Sequence, residues 1–547
     1  MQKRYLGTLS FVLALSLCLR PVQRALAQAL PPTNPEAQSV HGTVVNSLTH
    51  EAIGRALVFS PDKRFATLSD GEGHFEFTVP AASFTETLMA RKPGFLPNSG
   101  RIANPSAEKE LTISLTPEAL ITGRVVLPSS EDSDRIRVEL YRQQVREGQA
   151  HWVSEAMVTT RSKGEFRFAE LTPGTYKMLT RELLDRDPLT YDPHGQLYGY
   201  PPVYFPNAED FPSADAIQLA AGQTYQGDIS LVRRPYYAVK VGVVNAPPGG
   251  VNVSVSSQDR GPGYELGYNS QEHALVGMLP NGNYTLKVAS YGPDAASGSL
   301  NIVVKGAPLE GPQLVLLPNG SLTVAVTEES TASGTVAAEG SNLGGPRFGS
   351  QAPRSYLSIG LESADDFATE RAPWLRMVPG ADNSSLVFKS VPPGRYWMRI
   401  NSLRGFPAQV TSGGLDLQRQ PLVMGAGASN VRIEVTIRDD GAEVEGVVEG
   451  MAKTPGDSGS SPAHIYLVPL PDGGGDYREA RVSAEGKFHL QQVPPGLYQA
   501  LAFDQPQPEL EYRNAEAMRA YESKGQVVKL LAGQKEQLRV QVIATSE

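Results

Sequence analysis

The sequence predicts an all-β protein, built as a tandem array of about five β-sandwich domains behind a signal peptide. Two observations carry this. The first is a phrase that returns four times: an apolar strand, a Pro/Gly corner and a tyrosine. It reads Leu171-Thr172-Pro173-Gly174-Thr175-Tyr176, Leu279-Pro280-Asn281-Gly282-Asn283-Tyr284, Val391-Pro392-Pro393-Gly394-Arg395-Tyr396 and Val493-Pro494-Pro495-Gly496-Leu497-Tyr498. The glycines at 174, 282, 394 and 496 lie 108, 112 and 102 residues apart. Each interval holds several strand-like runs, so the repeating unit is a whole small domain and not a short solenoid repeat. The second is composition: 53 glycines and 43 prolines punctuate alternating apolar runs, as in a turn-rich all-β chain.

Residues 1–27 read as a signal peptide. Lys3 and Arg4 form a basic start, residues 6–19 an apolar core too short for a stable span, and Ala25-Leu26-Ala27 a cleavage site. A lipidated Cys18 is the rival reading, but Leu17 is bulky where a small residue normally precedes such a cysteine. Cys18 is the only cysteine, so cleavage leaves no disulfide, thiolate ligand or cysteine nucleophile. Cleavage also removes four basic residues and no acids, taking the formal net charge from -9 to -13. The remaining charges are mixed, with no basic stripe, which argues against nucleic acid. No second long apolar run follows, so no membrane span is expected after cleavage.

Residues 28–39 form a Pro-rich leader, expected to be disordered. The first sandwich (40–117) opens with Val40-His41-Gly42-Thr43-Val44, carries Gly73-His74-Phe75-Glu76-Phe77 and closes on Leu111-Thr112-Ile113-Ser114-Leu115. The second (118–234) opens with Ile121-Thr122-Gly123-Arg124-Val125 and holds a Tyr/Pro-rich insert at 183–216. The third (235–318) keeps the corner without the aromatic strand before it. The fourth (319–439) carries a Gly/Ser/Ala-rich loop at 330–351. The fifth (440–547) opens with Val444-Glu445-Gly446-Val447-Val448 and has helix-like spacing of Leu510, Met518 and Tyr521 over 509–523. Leu219-Ala220-Ala221-Gly222-Gln223 and Leu530-Leu531-Ala532-Gly533-Gln534 precede the last strands of the second and fifth sandwiches, an echo that supports these boundaries. At each corner proline presets φ, glycine permits the reversal, and the tyrosine packs inward with its hydroxyl within reach of backbone near the turn.

The opening V-x-G-x-V, the G-x-F-x-F strand and the V-P-P-G-x-Y corner resemble the carboxypeptidase regulatory-like domain, a transthyretin/Ig-like sandwich of the broader carbohydrate-binding-like group. The resemblance is good in sandwiches one, two and five, partial in four and weak in three. In sandwich one the corner is eroded: Ala81-Ala82-Ser83 follows Val79-Pro80. The likeness implies a fold; for activity it implies little. It also invites a search for a zinc peptidase. His41, His50, His74, His151, His194, His273, His464 and His489 are dispersed, none has Glu three residues on, and H-E-x-x-H is absent. Gly456-Asp457-Ser458-Gly459 looks like a serine-protease turn, but it sits in a polar Gly/Ser-rich stretch. The acidic turns Asp132-Ser133-Asp134, Asp365-Asp366 and 472–476 match no complete Ca²⁺ loop and read as solvated.

No catalytic residue, metal ligand or cofactor is therefore expected. The reading is a non-enzymatic exported protein, periplasmic, cell-surface or extracellular, with a structural, adhesive or recognition role at a bacterial envelope. Its partners are glycans or envelope and extracellular proteins. The alternative is a carbohydrate-binding protein, and a third reading is an accessory module of a peptidase. Candidate ligand-binding residues are Tyr191, Tyr198, Tyr200, Tyr204 and Phe205 of the insert, whose faces on a Pro-stiffened loop suit sugar stacking, and Trp397, which follows a corner tyrosine and is expected to point outward. If those rings pack over the sandwich edge or against the third domain, the structural role is favoured. Short linkers suggest a semi-rigid rod.

Overall fold

The computed structural model describes residues 37–545 apart from 81–86, 97, 102–110, 129–133, 186–194, 248–249, 259, 293, 330–356, 368–373, 377–384, 403–404, 428–429, 452–462 and 472–473. The signal segment, the leader up to residue 36, the eroded corner, Tyr191 and the serine-protease-like tetrapeptide fall outside the described residues; residues 37–39, expected in the disordered leader, instead begin the first strand, paired with Thr78–Pro80.

One topology recurs five times. The opening strands are Ala37–Asn46, Ala119–Val126, Arg234–Val244, Gly320–Glu329 and Ala442–Glu449. Each pairs antiparallel with the strand before a corner and parallel with a closing strand. The strand after the corner joins the facing sheet, as Gly174–Thr180, Gly282–Ser290, Gly394–Ser402 and Gly496–Phe503 do. The corner thus carries the chain from one sheet to the other, and five apolar clusters fill the spaces between the paired layers. In the fifth sandwich the final strand, Lys535–Ile543, pairs with both layers and joins them into one curved sheet.

Each corner tyrosine donates its hydroxyl to the carbonyl four residues earlier: Tyr176 to Thr172 at 2.6 Å, Tyr284 to Pro280 at 2.9 Å, Tyr396 to Pro392 at 3.0 Å and Tyr498 to Pro494 at 2.6 Å. In three sandwiches a bulge precedes the corner, with Glu170, Ser390 and Gln492 at φ of 57°, 60° and 54°. The sequence echo before the last strands is a structural one. Gln223 and Gln534 each accept, at 2.8 Å, from the backbone N–H three residues earlier.

The glycine of V-x-G-x-V has a steric cause. A Cβ at Gly42, Gly123 or Gly446 would overlap the carbonyl oxygen of Leu111, Gly227 or Leu538 on the adjoining strand. It would also sit 2.8, 2.7 and 2.7 Å from the Cζ of Phe75, Phe166 and Phe488, the first phenylalanine of each G-x-F strand. Glycine and phenylalanine form one lock, present in sandwiches one, two and five. In the third sandwich a Cβ at Gly242 would meet Gln313 Cγ at 3.6 Å and the Pro312 oxygen at 3.9 Å, ordinary contacts, so nothing there demands glycine.

The helix anticipated over 509–523 is shorter. An α-turn covers Ala515–Met518 and a 3₁₀ turn Arg519–Tyr521. Asn514 is the N-cap, accepting from the N–H of Glu516 and Ala517. Residues 509–513 stay outside the helix because Leu510 is buried beneath them and the Arg513 N–H is spent on the Gly148 carbonyl at 3.0 Å.

Gly446→Ala is expected to destabilise the fifth sandwich by at least about 1–3 kcal/mol through overpacking, whereas Gly242→Ala leaves the third within about 0.5 kcal/mol of wild type. Hydrogen exchange of the two opening strands in urea measures both; equal losses at the two sites would refute the lock.

Candidate functional site

The Tyr/Pro-rich insert does not stand out as a loop. Leu183–Leu184 and Tyr198–Tyr200 form short strands, and Tyr198–Tyr200 pairs with Arg234–Val244, so the insert extends a sheet of the third sandwich. Gly199 permits this, because a Cβ there would sit 2.8 Å from the Leu183 oxygen and 2.9 Å from the Tyr236 ring. Tyr200 and Phe205 turn into the core of the second sandwich, exposed by 1% and 6%. Tyr204 is fully buried, and its hydroxyl donates to the Pro262 carbonyl at 2.8 Å. Among the described rings of the insert named above only Tyr198, at 37%, presents a ring to solvent, and the Arg233 guanidinium lies 4.5 Å from its centroid. That arginine is fixed in turn by Asp185 at 2.6 Å.

Tyr204 belongs to an aromatic knot with Tyr141 and Phe211, against which Trp152 and Phe367 pack. Phe211 meets the Tyr141, Trp152, Tyr204 and Phe367 rings edge-on at 5.3, 5.7, 6.1 and 4.8 Å. Such geometry sets positive ring edges against negative faces. The Lys177 ammonium ties the insert down from below, donating to the carbonyls of Phe211 and Pro212, both at 2.8 Å. Burial lowers its pKa, opposed by Asp210 and Asp215.

Phe367 comes from the fourth sandwich. Its N–H donates to the Trp152 carbonyl at 3.1 Å, and its neighbour Asp366 accepts from the Trp152 N–H and pairs with His151 Nδ1 at 3.2 Å. The hydrogen bond from His151 is the main cause holding the Asp366 carboxyl below its ordinary range, with burial opposing.

The same hairpin of the second sandwich, Arg137–Arg146 with Gln149–Thr159, reaches the fifth. Gly148 at its tip lies under the Tyr512 ring, which stacks on Tyr477 at 4.3 Å and 8°. Arg513 covers the Trp397 ring at 4.3 Å and donates to the Gln418 carbonyl at 2.9 Å. Glu147 pairs with Arg399 at 2.5 Å; burial raises its pKa while Arg399 and Arg513 pull it back. A cleft of about 490 Å³ remains where these three sandwiches meet, lined by mixed charges including Glu147, Arg399, Asp476 and Arg478.

These placements correct three sequence expectations. Tyr200, Tyr204 and Phe205 are internal, not a sugar-stacking platform, because the insert is claimed by two sandwiches at once. Trp397 does face away from its corner core, but at 4% exposure it is covered by Arg513, more than a hundred residues away in sequence. Nor is the array a simple rod, since the second sandwich touches the third, fourth and fifth. Sequence reading missed Phe211, Phe367, Tyr512 and Arg513; Phe211 sits inside the insert and was the one within reach of its aromatic pattern.

Among the described residues one group of three metal-ligand types converges: Glu443, Glu445 and His489 on neighbouring strands. Lys535 brings a positive charge to it. Lys535 Nζ and His489 Nε2 lie 2.7 and 2.8 Å from the Glu443 carboxylate, and these two contacts, Lys535 first, lower its pKa. The group is an exposed ion-pair cluster. Also among the described residues, no helix is long and apolar enough to cross a membrane.

Gly148→Val is expected to push the fifth sandwich off the hairpin. Its Cβ would fall 2.7 Å from the Tyr512 ring, and the backbone is at φ +71°. Overpacking and the left-handed backbone together cost about 2–5 kcal/mol of docking. Tryptophan emission should shift red as Trp397 is uncovered, and the Arg513 amide should lose protection; unchanged values for both would show that the contact does not hold the fifth sandwich.

No family model matches the chain, and a search of curated proteins gives no match. Among solved structures, the Bacillus anthracis TIE protein is 10% identical, with 74% of this chain and 69% of that one covered and a TM-score of 0.15. A streptococcal ancillary pilin is 11% identical over 58% of this chain and 99% of its own, at 0.19. The RrgB pilus protein of Streptococcus pneumoniae is 9% identical over 79% and 99%, at 0.13. TM-scores this low carry no argument about function, and the fold assignment rests on the sheets themselves.

Proposed function

We propose that the chain is a non-enzymatic exported scaffold with a structural or adhesive role at the bacterial cell envelope. The observation that carries this reading is the fate of the insert. Its aromatic residues, the least repeated and most ligand-like feature of the sequence, fill the core of the second sandwich through Tyr200 and Phe205 and fasten it to the third and fourth through Tyr204 and Phe211. A surface built for sugar stacking keeps ring faces open to solvent, whereas here Tyr200, Tyr204, Phe205 and Phe211 are all buried. Burying large rings at domain contacts makes a stiff assembly, since inter-domain interfaces within a chain are otherwise small and permit motion. The resemblance to carboxypeptidase regulatory-like domains fits the same role, because such sandwiches serve as modules beside other activities.

Tyr204→Ala is expected to cost about 3–5 kcal/mol of stability at the junction of the second and third sandwiches, read as a lower thermal midpoint and a larger radius of gyration. The intact chain should show no specific retention on a glycan panel. Retention that falls in a Tyr198→Ala variant, whose ring is the exposed one, would instead establish the carbohydrate-binding alternative.

A further inference from the structure

The junction between the second and third sandwiches contains a carboxyl group with no counter-charge of its own. Glu182 leaves the second sandwich beside Leu183, and its N–H donates to the Gly263 carbonyl at 3.1 Å. One oxygen, Oε1, accepts from the Glu265 N–H at 2.6 Å. The other, Oε2, is sealed from solvent with no hydrogen-bond partner, and so is the hydroxyl of Tyr236, whose ring packs close against Gly199.

The surrounding cations are engaged elsewhere. Arg137 pairs with Glu265 at 2.7 Å, and Arg181 bridges Glu139 at 3.0 Å and Glu265 at 2.9 Å. Two guanidinium groups thus face two other carboxylates. The Arg260 charge acts on the phenols of Tyr264 and Tyr284, which complete the wall, and the Tyr264 hydroxyl and Arg181 Nε are themselves buried without a hydrogen-bond partner. An ionised Glu182 would be a third carboxylate facing two guanidinium groups already matched to the other two, with one oxygen dehydrated, while Arg260, the third cation of the wall, acts on the phenols and not on Glu182.

We propose that Glu182 is held at this junction as the neutral acid, and that its ionisation weakens the closure of the second sandwich on the third, making the junction a pH-responsive joint. This goes beyond the scaffold reading and does not depend on it. Burial pushes the Glu182 pKa up from an ordinary 4.5 to about 8, the nearby Glu265 adding to the rise while its N–H, Arg181 and Arg137 oppose it. The closed junction therefore binds the proton more tightly than the open one. Closure is at full strength below the ordinary value, weakens by about tenfold per pH unit as pH rises between the two values, and levels off above the higher one. The neighbouring groups titrate outside that window. Burial pushes Glu265 up, but Arg137 and Arg181 together hold it below 4.5. The phenols of Tyr236, Tyr264 and Tyr284 are all raised above 10.0, chiefly by burial.

Hydrogen exchange of the full chain between pH 5 and 9, corrected for intrinsic rates, tests the joint. In wild type the protection of the Glu265 amide should fall about tenfold per unit from pH 5 to 8 and then flatten. In Glu182→Gln it should stay level across the range. Core amides of Val241 and Leu286 should remain protected in both, reporting that the third sandwich stays folded. A level wild-type profile, an unchanged slope in Glu182→Gln, or a parallel loss at Val241 and Leu286 would each overturn the proposal; the first needs no variant.

Discussion

A chain that must leave one sheet and enter the facing one within a few residues exposes carbonyls at the crossing, and a buried carbonyl needs a donor. Each tyrosine corner supplies that donor from its own returning strand, so the crossing, the hydrogen bond and the filling of the core are one act. The ring is long enough to stand between layers that pack about 10 Å apart, and its hydroxyl returns to the residue that began the turn. Fixing the corner fixes which strand follows in the second sheet, and with it the register of the opening strand against its two partners. The glycine–phenylalanine lock then sets how closely those partners approach in the three most regular sandwiches.

This explains why the fold was legible in the sequence and the assembly was not. Corner, lock and Gly-Gln turn are local devices: residues that must meet lie within a few positions of each other or recur at fixed offsets. Even the weaker resemblance of the third sandwich has a visible cause, since Gly242 lacks both the crowding carbonyl and the phenylalanine that would make its pattern recognisable. The helix was misjudged at its start because Leu510 and the Arg513 backbone answer to a distant interface before they answer to helical periodicity. Asn514, a good N-cap, marks the true boundary.

The candidate site was legible only as composition. An aromatic loop rich in proline has the same sequence signature whether it binds a ligand or another domain, because both uses need large, rigid, weakly solvated surface. What separates them is who occupies the ring faces. Here the Tyr204 hydroxyl is taken by the Pro262 carbonyl of the third sandwich, Phe211 by Phe367 of the fourth and Trp397 by Arg513 of the fifth. No periodicity links such partners. Arg513 and Trp397 are joined only by the path of the folded chain.

The division of labour among these residues has a physical logic. Features shared by the repeats satisfy demands internal to a single sandwich, and they are apolar or neutral: a phenol, a glycine, a phenylalanine. Features unique to one repeat satisfy demands between sandwiches, and there charge enters: Lys177 under the insert, His151 with Asp366, Glu147 with Arg399, Glu182 among the arginines. Charge at a partly dehydrated interface gives selectivity of docking more than strength, because mismatched partners strand a buried charge. Similar sandwiches strung on one chain face many wrong ways to pair. Placing the discriminating charges on one hairpin and one insert of the second sandwich gives the third, fourth and fifth sandwiches distinct seats.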